Sequence, residues 1–180
     1  MIQIITVAQG DSYLRHAQAL QESMVKHNWP NLTIVDSKML RKFPYRSTLH
    51  PKANFGYFVN SLATKILLID SDCLAVGPFP ALPELSRNEI GGRITGIAQV
   101  TPSIKLTFLA STCLLFGHFL TALNLSQDWI ERSLCTKQTN DEPALMEAAL
   151  ELDKINLNGT YSKPFPTLIH LGITSNRHNQ

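Results

Sequence analysis

The sequence predicts an α/β fold with a mostly parallel central sheet flanked by helices. Short apolar runs alternate with longer segments whose apolar residues recur at helical spacing, which gives the order strand, helix, strand, helix, strand. Acidic or turn-forming residues close each run, at the place where a buried strand leaves its sheet. With 180 residues, 44% of them hydrophobic, the chain suits a single domain spanning residues 1–180.

The first half of the chain contains three predicted strands and two predicted helices. The strands are expected at residues 2–7, 32–36 and 65–70. Asp11 or Ser12 is expected to cap the first helix, because short polar side chains accept hydrogen bonds from the free N–H groups there. Pro51 suits the first turn of the second helix.

The second half is predicted to contain longer strands, two helices and two short closing strands. Strands are expected at 93–100 and 108–116, helices at about 120–134 and 140–150, and closing strands within 154–159 and 167–172. The uncharged stretch 107–125 approaches the length of a membrane span. Its Thr, Ser, Asn and His residues favour a strand followed by a helix, so no transmembrane segment is expected.

Charge and cysteine content argue against several classes of protein. The formal net charge is +2 and no block of like charge occurs, which gives no basis for binding nucleic acid or an anionic membrane. Three cysteines without CxxC spacing fit reduced thiols rather than a disulfide framework. The first residues lack the basic and apolar pattern of a signal peptide. We therefore expect a cytoplasmic protein.

The strongest chemical signal is KILLIDSDCLAV, residues 65–76, in which an apolar strand ends in Asp70 and Asp72. Side chains at positions i and i+2 of a strand point to opposite faces. Where the chain turns away from the sheet this alternation breaks, and both carboxylates can address one cation. Carboxylate oxygens suit Mg²⁺ or Mn²⁺, which often also bind substrate phosphates. Asp11 and Asp36 are expected at the same carboxyl edge of the sheet, where ligands gather in such folds.

The segment ATKILLIDSDCLAVGPFPAL resembles the signature of nucleotide-sugar glycosyltransferases with the GT-A fold, especially family 8, the group of glycogenin and bacterial galactosyltransferases. Four further segments resemble this family in the expected order: TVAQGDSYLRHAQALQESM, STCLLFG, TNDEPALMEAAL and TLIHLG. The resemblance implies a metal-dependent enzyme that moves a sugar from a nucleoside diphosphate sugar, with uridine as the base, to an acceptor that the sequence does not identify. It also implies retention of the anomeric configuration.

The resemblance implies a role for each matched residue. The ligands of Mn²⁺ or Mg²⁺ would be Asp70, Asp72 and His170. The nucleotide would contact Ala8, Asp11, Tyr13, Asp70 and Ser71. The sugar pocket would include Ser111 and Thr112, and the catalytic pair would be Asp141 and Glu142. Arg177 is the nearby cation that could replace the lysine of the family motif, and Lys52 is a second candidate for contact with phosphate oxygens.

Departures from the family pattern leave other functions open. The family usually has His-x-x-Gly-x-x-Lys, whereas HLGITSNRHNQ has Gly172 one residue early and lacks the lysine, and the acidic pair is Asp-Glu rather than Asp-Gln. A GT-A-like module that binds a nucleotide sugar without catalysis is therefore an alternative. Haloacid dehalogenase-type phosphatases also have an apolar strand ending in DxD, but theirs usually continues Gly-Thr, and Cys73 and Leu74 follow here.

Overall fold

The computed structural model describes residues 1–43, 50–101, 104–136, 145 and 167–171, with the side chains of 93–101, 104–110, 136, 169 and 170 left out. The strands are β1 (Ile2–Ala8), β2 (Leu32–Asp36), β3 (Lys65–Ile69), β4 (Cys73–Ala75), β5 (Ile90–Thr101), β6 (Ile104–Phe116) and β7 (Leu168–His170). The α-helices are α1 (Asp11–Lys26), α2 (Ser37–Leu40) and α3 (Phe119–Thr136), and Pro51–Phe58 forms a 3₁₀ helix.

The main sheet has five strands in the order β2-β1-β3-β6-β5, and β4 pairs with β7 in a small second sheet. β1 is parallel to both β2 and β3, while β6 is antiparallel to both β3 and β5. Only β6 therefore runs against the other described strands of this sheet, and the predicted mostly parallel sheet is confirmed. The carboxyl ends of β1, β2 and β3 meet at one edge, which we call the carboxyl edge.

Both faces of the main sheet are covered by helices. Leu67 of β3 belongs to a buried cluster that also contains Leu20 of α1. Its neighbour Leu68 belongs to a second cluster, with Phe55 of the 3₁₀ helix and Trp129 of α3. This division follows from the two-residue period of a strand, and burial of each large apolar side chain contributes about 1.5–3 kcal/mol. The 3₁₀ helix and α3 are thereby held together on one face.

The start of α1 differs from the sequence prediction. Its N-cap is Gly10, with φ of 93° and no side-chain cap bond, so the prediction that Asp11 or Ser12 caps the helix is wrong. The Gly10 N–H donates to Ser37 Oγ at 2.9 Å, and the positive φ that glycine tolerates turns the chain into the helix one residue early. Asp36 does cap a helix, the unpredicted α2, by accepting a hydrogen bond from Met39 N at 2.8 Å.

The second half of the chain agrees with prediction wherever it is described. The predicted strands lie within β5 and β6, which extend further, and α3 begins close to the predicted position. The stretch 107–125 divides into the end of β6 and the start of α3. Across the described ranges, none of the helices has both the length and the apolar character that a bilayer crossing requires. The predicted helix at 140–150, apart from Leu145, and the predicted strand within 154–159 lie outside the described residues.

Candidate functional site

A tight turn places Asp70 and Asp72 at the carboxyl edge. The N–H of Asp70 donates to the carbonyl of Thr112 on β6 at 2.9 Å, which holds the first residue after β3 against the sheet. The N–H of Cys73 then donates back to the carbonyl of Asp70 at 3.2 Å, and β4 begins. The chain therefore leaves the main sheet between the two acids, as predicted. Both aspartates are partly buried.

The small sheet brings the distant residue 170 to this turn. Cys73 pairs with His170 in the antiparallel register of β4 and β7. The N–H of Leu171 donates to the carbonyl of Asp72 at 3.0 Å. The backbone of His170 therefore lies next to the second acid, although its side chain is outside the described part. Among the side chains that are described, no three His, Cys, Asp or Glu are grouped closely enough to hold a metal, so a third ligand from His170 stays a prediction.

Lys52 forms an ion pair with Asp70. Its Nζ contacts Asp70 Oδ1 and also donates to Ser111 Oγ at 3.0 Å and to the Ser111 carbonyl at 3.3 Å. The two charged side chains are 15% and 18% exposed, whereas Glu84 in the surface pair with Lys65 is 92% exposed. Water therefore screens the Lys52–Asp70 pair less, and its geometry matters more than that of an ordinary surface pair.

The two thiols nearest the site are held in their neutral form. The pKa of the Cys113 thiol is raised far above its ordinary value, mainly by burial and to a smaller extent by the negative charge of Asp70. The pKa of Cys73 is raised in the same way, first by burial and then by neighbouring groups that include Asp70. A neutral thiol is a poor nucleophile and a poor metal ligand, so the chemistry of this edge depends on its oxygen and amine groups.

The residues predicted to contact the nucleotide follow β1 and β3. Ala8 is buried at the end of β1, and Asp11 is exposed at the first position of α1. The half-buried ring of Tyr13 meets His16 edge-on, with 6.3 Å between ring centroids. Ser71 is buried between the two acids. Because β1 and β3 are parallel neighbours, these segments share the carboxyl edge, and their contact with a nucleotide remains a prediction.

Ser111 and Thr112 lie at the same edge, whereas Asp141, Glu142 and Arg177 are outside the described residues. The pairing of Lys52 with Asp70 and Ser111 was not predicted from the sequence. The local sequence indicates only that a helix begins near Lys52, because Pro51 is the first residue of the 3₁₀ helix.

Comparison with solved structures finds glycosyltransferases of similar fold. The apo form of glycosyltransferase GlyE from Streptococcus pneumoniae TIGR4 aligns with 94% of this chain, with a TM-score of 0.55 and 15% identity. A glycosyltransferase involved in glycosylation of the major capsid of PBCV-1 aligns with 96% of the chain, with a TM-score of 0.60 and 11% identity. The galactosyltransferase LgtC, in complex with donor and acceptor sugar analogs, aligns with 83%, with a TM-score of 0.52 and 15% identity.

The chain accounts for different shares of these proteins. It spans about half of the GlyE chain (54%), 94% of the PBCV-1 enzyme and 70% of LgtC. No protein-family model matches the sequence, and neither does any curated protein. At these identities the likeness is one of fold. The chain therefore has the α/β fold of GT-A glycosyltransferases, as its sequence predicts.

Proposed function

We propose that this protein is a metal-dependent glycosyltransferase that moves a sugar from a nucleoside diphosphate sugar, with UDP as the carrier, to an acceptor. The proposal is supported mainly by the arrangement of residues at the carboxyl edge. In a fold shared with glycosyltransferases, the turn with Asp70 and Asp72 is joined to the backbone of His170 by the pairing of β4 and β7. The donor base, family 8 membership and retention rest on the sequence resemblance.

The donor set at the turn fits a hard divalent cation. Asp70 and Asp72 supply carboxylate oxygens on either side of a chain reversal, which suits Mn²⁺ or Mg²⁺. An imidazole from His170 would favour Mn²⁺ over Mg²⁺. When bound, the cation would neutralise the diphosphate and stabilise the charge that develops on the leaving nucleotide.

The chain's own groups have separate tasks in this proposal. Lys52 offsets part of the repulsion between the two acids and places a positive charge beside the expected diphosphate. Ser111 holds Lys52 through its hydroxyl and its carbonyl, and therefore limits the directions in which the ammonium group can point. Asp141 and Glu142 remain the predicted catalytic pair at the transferred sugar.

A binding measurement tests the proposal directly. Isothermal titration calorimetry with a panel of nucleoside diphosphate sugars should show binding in Mn²⁺ and none in EDTA. Asp72→Asn removes one ligand charge with little change in size, so it should abolish the metal-dependent part of the binding. Glu84→Gln is the matched control, because it removes an exposed carboxylate that pairs with Lys65 at the opposite end of β3, and it should leave binding intact.

The outcomes separate the candidate functions. Undiminished Mn²⁺-dependent binding by Asp72→Asn contradicts the proposed site. Donor turnover, followed as release of the nucleoside diphosphate, supports an enzyme, whereas tight binding without turnover across acceptors supports the non-catalytic module. Hydrolysis of an aryl phosphate without any nucleotide-sugar binding would instead support the phosphatase.

A further inference from the structure

A buried serine joins α3 to the 3₁₀ helix that carries Lys52. Ser126 is fully buried, and its Oγ accepts a hydrogen bond from Gly56 N at 3.1 Å. The same hydroxyl donates to the carbonyl of Ala53 at 2.5 Å. One side chain thus satisfies two backbone groups of the 3₁₀ helix, and buried groups of this kind are costly when they lack partners.

The same contact fixes how closely the two helices approach. A Cβ added at Gly56 would lie 2.4 Å from Ser126 Cβ and 3.1 Å from the backbone of Leu123. Glycine is therefore required for the observed packing, since real Cβ atoms essentially never come so close. Both the spacing and the orientation of the 3₁₀ helix against α3 depend on Gly56 and Ser126.

Lys52 lies directly before the segment that Ser126 holds. Ala53, whose carbonyl accepts from Ser126, follows Lys52 in the chain. From this position the Lys52 amine contacts Asp70, directly after β3, and Ser111 on β6. A long lysine side chain has several rotatable bonds, so a stable ion pair requires a fixed backbone at its base.

We propose that Ser126 is a positioning residue that holds the 3₁₀ helix so that Lys52 meets Asp70 and Ser111, and through this geometry meets the diphosphate of the donor. The last step rests on the proposed function. The pairing of Lys52 with Asp70 does not, so the two parts can be tested separately.

The same helix offers a matched control. Ser133 is also a fully buried serine of α3, seven residues after Ser126. Its hydroxyl donates to the carbonyl of Trp129 in the same helix at 2.6 Å. Ser133→Ala therefore removes the same group from the same helix without touching the bridge to the 3₁₀ helix.

Amine labelling tests the positioning of Lys52 without any ligand. Mass spectrometry after brief acetylation with acetic anhydride measures the labelling rate of Lys52, with Lys65 as the internal reference. An ammonium group held by a carboxylate and a hydroxyl is shielded from the reagent. Ser126→Ala should raise Lys52 labelling by at least about threefold through local opening, and Ser133→Ala should leave it unchanged.

Two results would overturn the positioning role: unchanged Lys52 labelling in Ser126→Ala, or an equal rise in Ser133→Ala. Circular dichroism checks that each variant is folded. If Ser126→Ala does not fold, Gly56→Ala provides the second test, because it forces the 3₁₀ helix away from α3 with the hydroxyl present. Unchanged labelling of Lys52 in that variant also contradicts the proposal.

A double-mutant cycle tests the consequence for the donor. Titration with UDP and Mn²⁺ should show about tenfold weaker binding for Lys52→Gln, the effect of one charge-assisted hydrogen bond. Ser126→Ala should weaken binding by about three- to tenfold, and adding it to Lys52→Gln should cause no further loss. Additive losses would show that Ser126 acts on the fold and not through Lys52. Failure of the wild-type protein to bind UDP would contradict the proposed function, while the labelling result still decides the role of Ser126.

Discussion

Gly56→Ala tests the close packing of the 3₁₀ helix against α3. The new Cβ would lie 2.4 Å from Ser126 Cβ, about 1 Å inside the ordinary contact distance between carbon atoms. Ser126 Cβ is fixed to the backbone of α3, so rotation of the side chain cannot relieve the overlap. The two helices must separate, which also lengthens the hydrogen bond from Gly56 N to Ser126 Oγ.

The expected loss of stability combines these two effects. Overpacking of this kind costs about 1–3 kcal/mol, and a buried hydrogen bond left unmade costs about 1–3 kcal/mol more. Alanine is less flexible than glycine in the unfolded chain, and this smaller loss of conformational entropy on folding offsets about 0.4–1 kcal/mol of the destabilisation. We expect the free energy of unfolding to fall by about 2–4 kcal/mol and the melting temperature by roughly 5–15 °C. Urea denaturation followed by circular dichroism measures the first quantity.

A compensating substitution identifies the cause of the loss. Ser126→Gly removes both the Cβ and the Oγ that the new side chain would meet, so the double variant should lose less stability than the sum of the single variants. We expect this coupling to be at least about 1 kcal/mol. The steric reasoning is refuted if Gly56→Ala stays within about 0.5 kcal/mol of the wild-type protein, or if the two changes are additive.

Three further predictions concern buried groups outside this contact. Under native conditions a thiol reagent should modify the exposed Cys135 and spare Cys73 and Cys113 until urea unfolds the chain, because both are buried. Burial raises the pKa of Cys113, so its contribution to stability is complete below the unfolded-state pKa and is lost as pH rises. The free energy of unfolding should therefore fall above about pH 8.5, with Cys113 contributing about 1.4 kcal/mol per pH unit; in urea titrations Cys113→Ala should reduce the slope by that amount and keep the part due to Cys73. Trp29→Phe should cost about 1–3 kcal/mol in the same assay, since it leaves the carbonyl of Gly77 without its buried 2.7 Å bond.

The sequence predicted most strands because each is a short apolar run with a clear end. LTIVD is confirmed at the predicted bounds, and the acids after KILLI lie at the turn that leaves the sheet. The start of α1 was predicted wrongly because Gly10, Asp11 and Ser12 are all acceptable cap residues. The contact that distinguishes them, from Gly10 to Ser37, joins residues that no local pattern connects.

The position of Asp70 and Asp72 at the end of a strand could be predicted from the sequence, whereas the contact of Lys52 with Asp70 could not. Lys52 lies in the 3₁₀ helix and Asp70 in the turn after β3, and their pairing depends on the packing of this helix against the sheet. Little in the sequence indicated that Ser126 is buried. It is a polar residue within the apolar face of α3, and a serine in such a pattern can also face solvent. Gly56 is a lone glycine in a helical pattern, which can indicate a close approach of another element, here Ser126 of α3.

The pairing of β4 with β7 also has a consequence for how the protein folds. It joins Cys73 to His170 across more than half of the chain's length and, among the described residues, does so through three residue pairs. Closing so long a loop costs conformational entropy, and the few hydrogen-bonded pairs offset this cost only after the loop has closed. The main sheet should therefore form first and the small sheet last, which would complete the proposed cation site late in folding. Stopped-flow refolding with and without Mn²⁺ can time that step.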